Sequence, residues 1–123
     1  MYPLPAVLVN CQPPWREPVR SALADNTVTV TNEFATFDEL LAQWPAPPDA
    51  TRRLLVTRVS SLDDVRQLAR ADACLPGWPV LALVEGEYDT VGLFEVSRAG
   101  AAQLVQLPFR REDLGTALDR LLV

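Results

Sequence analysis

Short apolar runs, each closed by polar or proline residues and each followed by a segment with helical spacing, recur along this chain. That alternation restricts its fold more than any other feature. Ala6-Val7-Leu8-Val9-Asn10 is the first such run, too short for a helix and apolar throughout, as a strand buried on both faces must be. Leu54-Leu55-Val56, Val80-Leu81-Ala82-Leu83-Val84 and Leu104-Val105 read the same way. Val28 and Val30 alternate with Thr27, Thr29 and Thr31, which suggests a further strand nearer an edge. Between the strands, Leu62, Val65, Leu68 and Ala69 make one apolar stripe at intervals of three and four, and Leu114, Ala117, Leu118 and Leu121 make another.

Helix boundaries are marked as well. Thr36 with Glu39 and Ser61 with Asp64 fit the capping box, in which a hydroxyl and an acid satisfy free backbone N–H groups. Asp63 and Asp64 therefore read as helix-start charges and not as a metal pair. The first helix, around Trp15 to Ala24, carries Pro18, whose fixed φ and missing N–H are expected to disturb its opening turn, and Asn26 reads as its stop. Strand and helix alternate five times, which implies a parallel sheet covered on both sides through right-handed crossovers. The fold class expected is α/β: a flavodoxin-like, doubly wound, five-stranded parallel sheet of order 2-1-3-4-5 with five helices, its functional crevice at the carboxyl ends of the strands.

Bulk properties bound the function. A chain of 123 residues with 49% hydrophobic composition holds one core, so a single domain over 1–123 is expected. A formal charge of −5 and the lack of a long Lys/Arg run argue against direct nucleic-acid binding. No apolar run reaches the roughly 20 residues that a membrane-spanning helix needs, and the first residues lack a basic signal start, so a cytoplasmic protein with no membrane contact is expected. There is no histidine, and Cys11 and Cys74 lack metal-ligand spacing, so no metal and no cofactor are expected. The two cysteines fall at opposite ends of the inferred sheet, which excludes a disulfide between them.

The last quarter of the chain, Ala99-Gly100-Ala101-Ala102-Gln103-Leu104-Val105-Gln106-Leu107-Pro108-Phe109 and then Glu112-Asp113-Leu114, resembles the end of bacterial response-regulator receiver domains. The family writes a Gly-Ala turn, a fifth strand, Lys-Pro-Phe and an acidic helix start there. Element order and the Pro79-Val80 entry to the fourth strand extend the resemblance over nearly the whole chain. An active receiver needs a phosphoacceptor aspartate, two acids that hold Mg²⁺, a hydroxyl and a lysine. At the matching positions this chain has Asn10 and Cys11 for the acids, Thr57 for the acceptor, Val84 or Glu85 for the hydroxyl and Leu107 for the lysine. Leu104 stands at the switch aromatic, and Leu107-Pro108 matches a bond that is commonly cis in the family. The resemblance thus implies a degenerate pseudo-receiver that is not an enzyme.

Glu85 reads as a solvated loop acid in preference to a catalytic carboxylate, and Cys11 as an ordinary semi-buried thiol with no fixed cation beside it. Trp15, Trp44 and Trp78 read as packing under loops. Protein contact is the expected mode of action in a bacterial regulatory protein. The partner would be another protein or a second copy, meeting the face of helix 4, strand 5 and helix 5, where the last helix carries Arg111, Asp119 and Arg120. Two alternatives remain. The neutralised crevice could take a small ligand. Val9-Asn10 with Pro13-Pro14, and Leu81 to Glu85, are similar to atypical receivers that precede RNA-binding antitermination helices. A dinucleotide-binding enzyme is disfavoured because Cys11-Gln12-Pro13-Pro14 offers few backbone donors to a phosphate.

Overall fold

The computed structural model describes residues 5–11, 15–43, 53–75, 77–86 and 90–121. Strands and helices alternate throughout: β1 (Ala6–Val9), α1 (Arg16–Asp25), β2 (Val30–Phe34), α2 (Phe37–Gln43), β3 (Leu54–Val59), α3 (Leu62–Cys74), β4 (Val80–Val84), α4 (Thr90–Arg98), β5 (Gln103–Gln106) and α5 (Arg111–Leu121). All four strand pairings are parallel and the sheet order is β2-β1-β3-β4-β5, as the element pattern implies.

Period-two alternation divides the core into two. Leu8, Leu54, Val56, Leu81, Leu83 and Val105 point to one face, where Val19 and Leu23 of α1 and Leu114 and Leu118 of α5 cover them. Val7, Val9, Leu55, Val59, Val80 and Ala82 point to the other, against Phe37 and Leu40 of α2, Leu68 and Ala71 of α3, and Val96 of α4. This explains why β1 and β4 are apolar at every position: neither face of a central strand meets water.

β2 begins at Val30 and runs to Phe34, beyond the Thr27–Thr31 alternation that suggested it. Val28 is buried, but as part of the exit from α1. Thr27 has φ +61°, its N–H donates to Ala24 O at 3.0 Å, and the N–H of Val28 donates to Leu23 O at 2.9 Å. The helix-terminating turn therefore consumes the first residues of the alternation. Asn26 does stop α1, its side-chain amide donating to Ala22 O at 2.9 Å.

Pro18 does not disturb α1. It is the third residue of the helix, where the backbone N–H would have no intrahelical acceptor, so its absence leaves no bond unmade. Both capping boxes form. Thr36 Oγ1 accepts from the N–H of Glu39 at 3.2 Å while Glu39 accepts from the N–H of Ala35 at 3.1 Å. Ser61 Oγ accepts from the N–H of Asp64 at 3.2 Å, and Asp64 accepts from the N–H of Ser60 at 2.9 Å. In both boxes the acid reaches the residue before the cap.

Gly100 turns the chain into β5 at φ +126°, and a Cβ there would lie 2.5 Å from Cγ of Asp72 and 2.8 Å from its Cβ. Backbone strain and collision act together, so Gly100→Ala is expected to cost about 2 kcal/mol of unfolding free energy in urea denaturation. Leu81→Ala, which empties the centre of the α1–α5 side, is expected to cost about 3 kcal/mol by the same measurement.

Candidate functional site

β1, β3 and β4 run parallel, so their carboxyl ends open on one edge, and the turns that follow them meet there. At the end of β1 the chain reverses through Asn10, which has φ +61°, a conformation asparagine tolerates better than most residues. Its backbone N–H donates to Phe34 O at 3.1 Å, and its side-chain amide donates to Arg58 O and to Asp64 Oδ1, both at 3.2 Å. Arg58 answers with an Nε bond to Asn10 O at 3.1 Å. β1 and β3 are thus bonded to each other in both directions beyond the pairing of Val9 with Thr57.

From there the Arg58 guanidinium crosses to β4. Its Nη1 meets Glu85 Oε1 at 2.5 Å, while the indole N–H of Trp15, at the start of α1, donates to Glu85 Oε2 at 2.7 Å. The ion pair is partly shielded, with side-chain exposures of 24% for Arg58 and 35% for Glu85, so water screens it less than a surface pair. The indole bond, and after it the guanidinium, hold the Glu85 carboxyl below the usual carboxylate range. Gln106 at the end of β5 fixes the next residue: its side-chain amide donates to Gly86 O at 2.8 Å and to Val84 O at 3.1 Å.

The sequence-derived positions separate into two groups. Asn10 and Glu85 enter the crevice. Thr57 does not: its side chain is fully buried within β3 and its hydroxyl donates to Arg58 O at 3.3 Å. Val84 is buried in β4, Leu107 is buried on the α1–α5 side, and Leu104 packs partly buried against the opposite side. The Leu107–Pro108 bond is cis. Cys11 and Cys74 are free thiols. Burial pushes the Cys11 thiol up to about 12, against the weaker opposing pull of a backbone hydrogen bond and charge at Arg58. A cation does lie nearby, contrary to expectation, yet desolvation wins and Cys11 stays protonated at neutral pH.

Glu85 is a paired acid and not the free loop carboxylate that its position suggests. Trp15 has its indole bonded in the crevice, Trp78 is buried in the core, and Trp44 lies outside the described residues. The residues that sequence reasoning missed are Arg58, Asp64 in its crevice role, and Gln106. Arg58 was detectable as the one charge inside the apolar run Leu54 to Val59. The contacts of Asp64 and Gln106 depend on tertiary placement and left no local signal.

The residues present do not fit a hard divalent cation. Arg58 sets positive charge in the crevice, Glu85 already accepts from two donors, and Cys11 is a protonated thiol. Among the described residues no group of three or more acids or cysteines could hold a metal ion. Nor is any helix among them long and apolar enough to cross a membrane.

The depressed carboxyl of Glu85 sets a pH dependence. The unfolded chain takes up a proton at this group near the ordinary glutamate value, about 4.3, and the folded chain only at lower pH. The contribution is therefore complete above that value and lost as pH falls through the folded pKa. Wild type is expected to lose stability relative to Glu85→Gln as urea denaturation is repeated from about pH 6 down to about pH 3, and parallel profiles would contradict it.

No protein-family model matches the chain, and no curated protein matches it significantly. Solved structures do. A putative pilus assembly-related protein from Burkholderia pseudomallei matches with a TM-score of 0.80 at 16% identity, over 96% of this chain and 88% of that one. A putative pilus assembly protein from Burkholderia thailandensis matches with a TM-score of 0.77 at 16% identity, over 98% of each chain. A response regulator from Thermotoga maritima matches with a TM-score of 0.76 at 14% identity, again over 98% of each. At these identities the likeness is one of architecture, and the chain has the fold of response-regulator receiver domains.

Proposed function

We propose that this chain is a receiver-type signalling domain of a bacterial regulatory protein that acts through protein contacts without being phosphorylated. The observation that carries the reading is the occupant of the crevice. At the carboxyl end of β3, where a receiver presents its acceptor carboxylate, the expected acceptor position holds a buried hydroxyl, Thr57, and the residue after it, which reaches into the crevice, is a guanidinium, Arg58. Neither forms an acyl phosphate. The acids that would hold Mg²⁺ are replaced by Asn10 and the protonated Cys11, and the lysine by the buried Leu107.

Recognition then falls to the surface. Phe94 on α4 is 60% exposed, with the Arg98 guanidinium 5.9 Å from its ring centre, so α4 presents an aromatic anchor at the surface. Asp119 and Arg120 of α5 are exposed, whereas Arg111 turns away towards α1, where it pairs with Asp25 and reaches Ser21 Oγ at 3.3 Å. Arg111 is thus tied to α1, although its side chain stays largely exposed. A second copy binding through this face would appear as concentration-dependent mass in light scattering, weakened by Phe94→Ala; a strict monomer at high micromolar concentration would leave only a different protein as partner.

A second reading, a small-ligand site, draws on a cavity of about 220 Å³ beside Asn10, lined by Thr36, Phe37, Asp38, Asp63 and Asp64. It is acidic rather than apolar, so a small cationic molecule suits it better than the uncharged ligand expected of a neutralised crevice. A rise in Tm with such compounds would favour this reading.

The decisive experiment is incubation of the protein with acetyl phosphate and Mg²⁺ followed by intact mass, together with beryllofluoride titration by NMR. No added phosphoryl mass and no shift at Asn10, Arg58 or Glu85 are expected. Stoichiometric phosphorylation would overturn the proposal.

A further inference from the structure

We infer that the crevice is a carboxylate-binding site with a tethered occupant: Arg58 of β3 and Trp15 at the head of α1 form a donor pair that stands without Glu85, and the Glu85 side chain fills it. The site takes a small free carboxylate once the Glu85 side chain is gone, and in the wild type Glu85 keeps it closed to free anions. This goes beyond the functional reading above and does not depend on it.

Each donor is positioned by contacts that do not involve Glu85. Arg58 Nε donates to Asn10 O at 3.1 Å, which holds the guanidinium in the crevice from the β1–β3 side. Trp15 O accepts from the N–H of Val19 at 3.0 Å and its ring packs against the α1–α5 side of the core, so the indole N–H is fixed from the other direction. The main chain at Glu85 is likewise held apart from its carboxylate: its N–H donates to Val59 O at 2.9 Å, and the Gln106 amide bonds the carbonyls of Val84 and Gly86. The side chain can therefore leave without carrying the end of β4 with it. What remains is a donor pair spaced for one carboxylate, the guanidinium meeting one oxygen at 2.5 Å and the indole meeting the other at 2.7 Å. Bonds of this charge-assisted kind are roughly twice as strong as neutral ones, and partial burial limits their screening. Asp64 accepts from Asn10 and Ser60, and Glu33 binds Arg16 and Arg20, so neither of these acids takes the two donors. A group on a short tether competes as if present at roughly millimolar concentration, which closes the wild-type site to dilute free anions.

The test is a titration of the full chain with acetate at neutral pH and constant ionic strength, chloride being the balancing anion. Glu85→Ala removes one carbon and the carboxylate, the atoms that acetate supplies. Two signals are read: Tm, and the NMR resonance of the Trp15 indole proton, assigned by its loss in Trp15→Phe. Glu85→Ala is expected to gain about 3–6 °C in Tm at about 100 mM acetate, with the indole proton moving back towards its wild-type position. Wild type and the double variant Arg58→Ala/Glu85→Ala are expected to show neither change, the first because its site is filled and the second because the charged donor is gone. No response in Glu85→Ala, an equal rise in Tm in wild type or in the double variant, or a rise in Tm with the indole proton unmoved would overturn the inference. If Glu85→Ala does not fold in chloride, recovery of a cooperative transition in acetate supports the site and no recovery overturns it. Phosphorylation of the wild type would sink the functional reading through its mass alone and leave the acetate results standing.

Discussion

A parallel sheet whose central strands are apolar on both faces must be covered on both faces, and nearly everything else in this molecule follows from that requirement. Each helix has to cross back over the sheet, so every strand starts at one edge and ends at the other. The side-chain alternation that sends Leu8, Leu54 and Leu81 towards α1 and α5 also sends Val7, Leu55 and Val80 towards α2, α3 and α4. Polar chemistry is thereby expelled from the middle of the sheet and gathered where the strands stop, at Asn10, Arg58 and Glu85.

What gathers there has an inverted charge plan. A phosphorylatable crevice concentrates carboxylates and relies on an incoming cation and phosphoryl group to resolve their repulsion. Here the charges resolve within the chain. Arg58 balances Glu85, Asn10 spans β1, β3 and the start of α3, and the only thiol at the rim is kept neutral by burial. Asp64 illustrates the economy of this arrangement: the carboxylate that caps α3 through Ser60 also receives the Asn10 amide, so helix initiation and crevice geometry share one side chain.

The fold was legible because it rests on periodicity, which is local. Strand runs, helix stripes and the two capping boxes are written within windows of about ten residues, and each reappears in the structure with small shifts of boundary. The exceptions are instructive. β2 is displaced because a helix exit borrowed Thr27 and Val28, and Pro18 is harmless because in the opening turn the N–H it lacks would have had no intrahelical acceptor. Of the crevice, the sequence pointed to Asn10 and Glu85 as residues at the strand ends, and both lie there. What they bind was not legible, since the bond between Arg58 and Glu85 joins residues 27 apart in the chain and the Trp15–Glu85 bond joins residues 70 apart. Side chains that far apart leave no mark on one another's neighbours. Glu85 accordingly read as a solvated acid until the strands were laid side by side.

The Glu85 carboxylate differs from a phosphoryl group in having no lifetime. An aspartyl phosphate is made and hydrolysed, so a conventional receiver carries a clock set by kinase and phosphatase; a carboxylate carried by the polypeptide appears when the chain folds and lasts as long as the chain does. Under the proposal that the domain is not phosphorylated, a crevice occupied in this way keeps no record of when a stimulus arrived. On that proposal timing comes from outside the domain, through how many copies are synthesised, how quickly they are degraded, or when a partner becomes available to meet them.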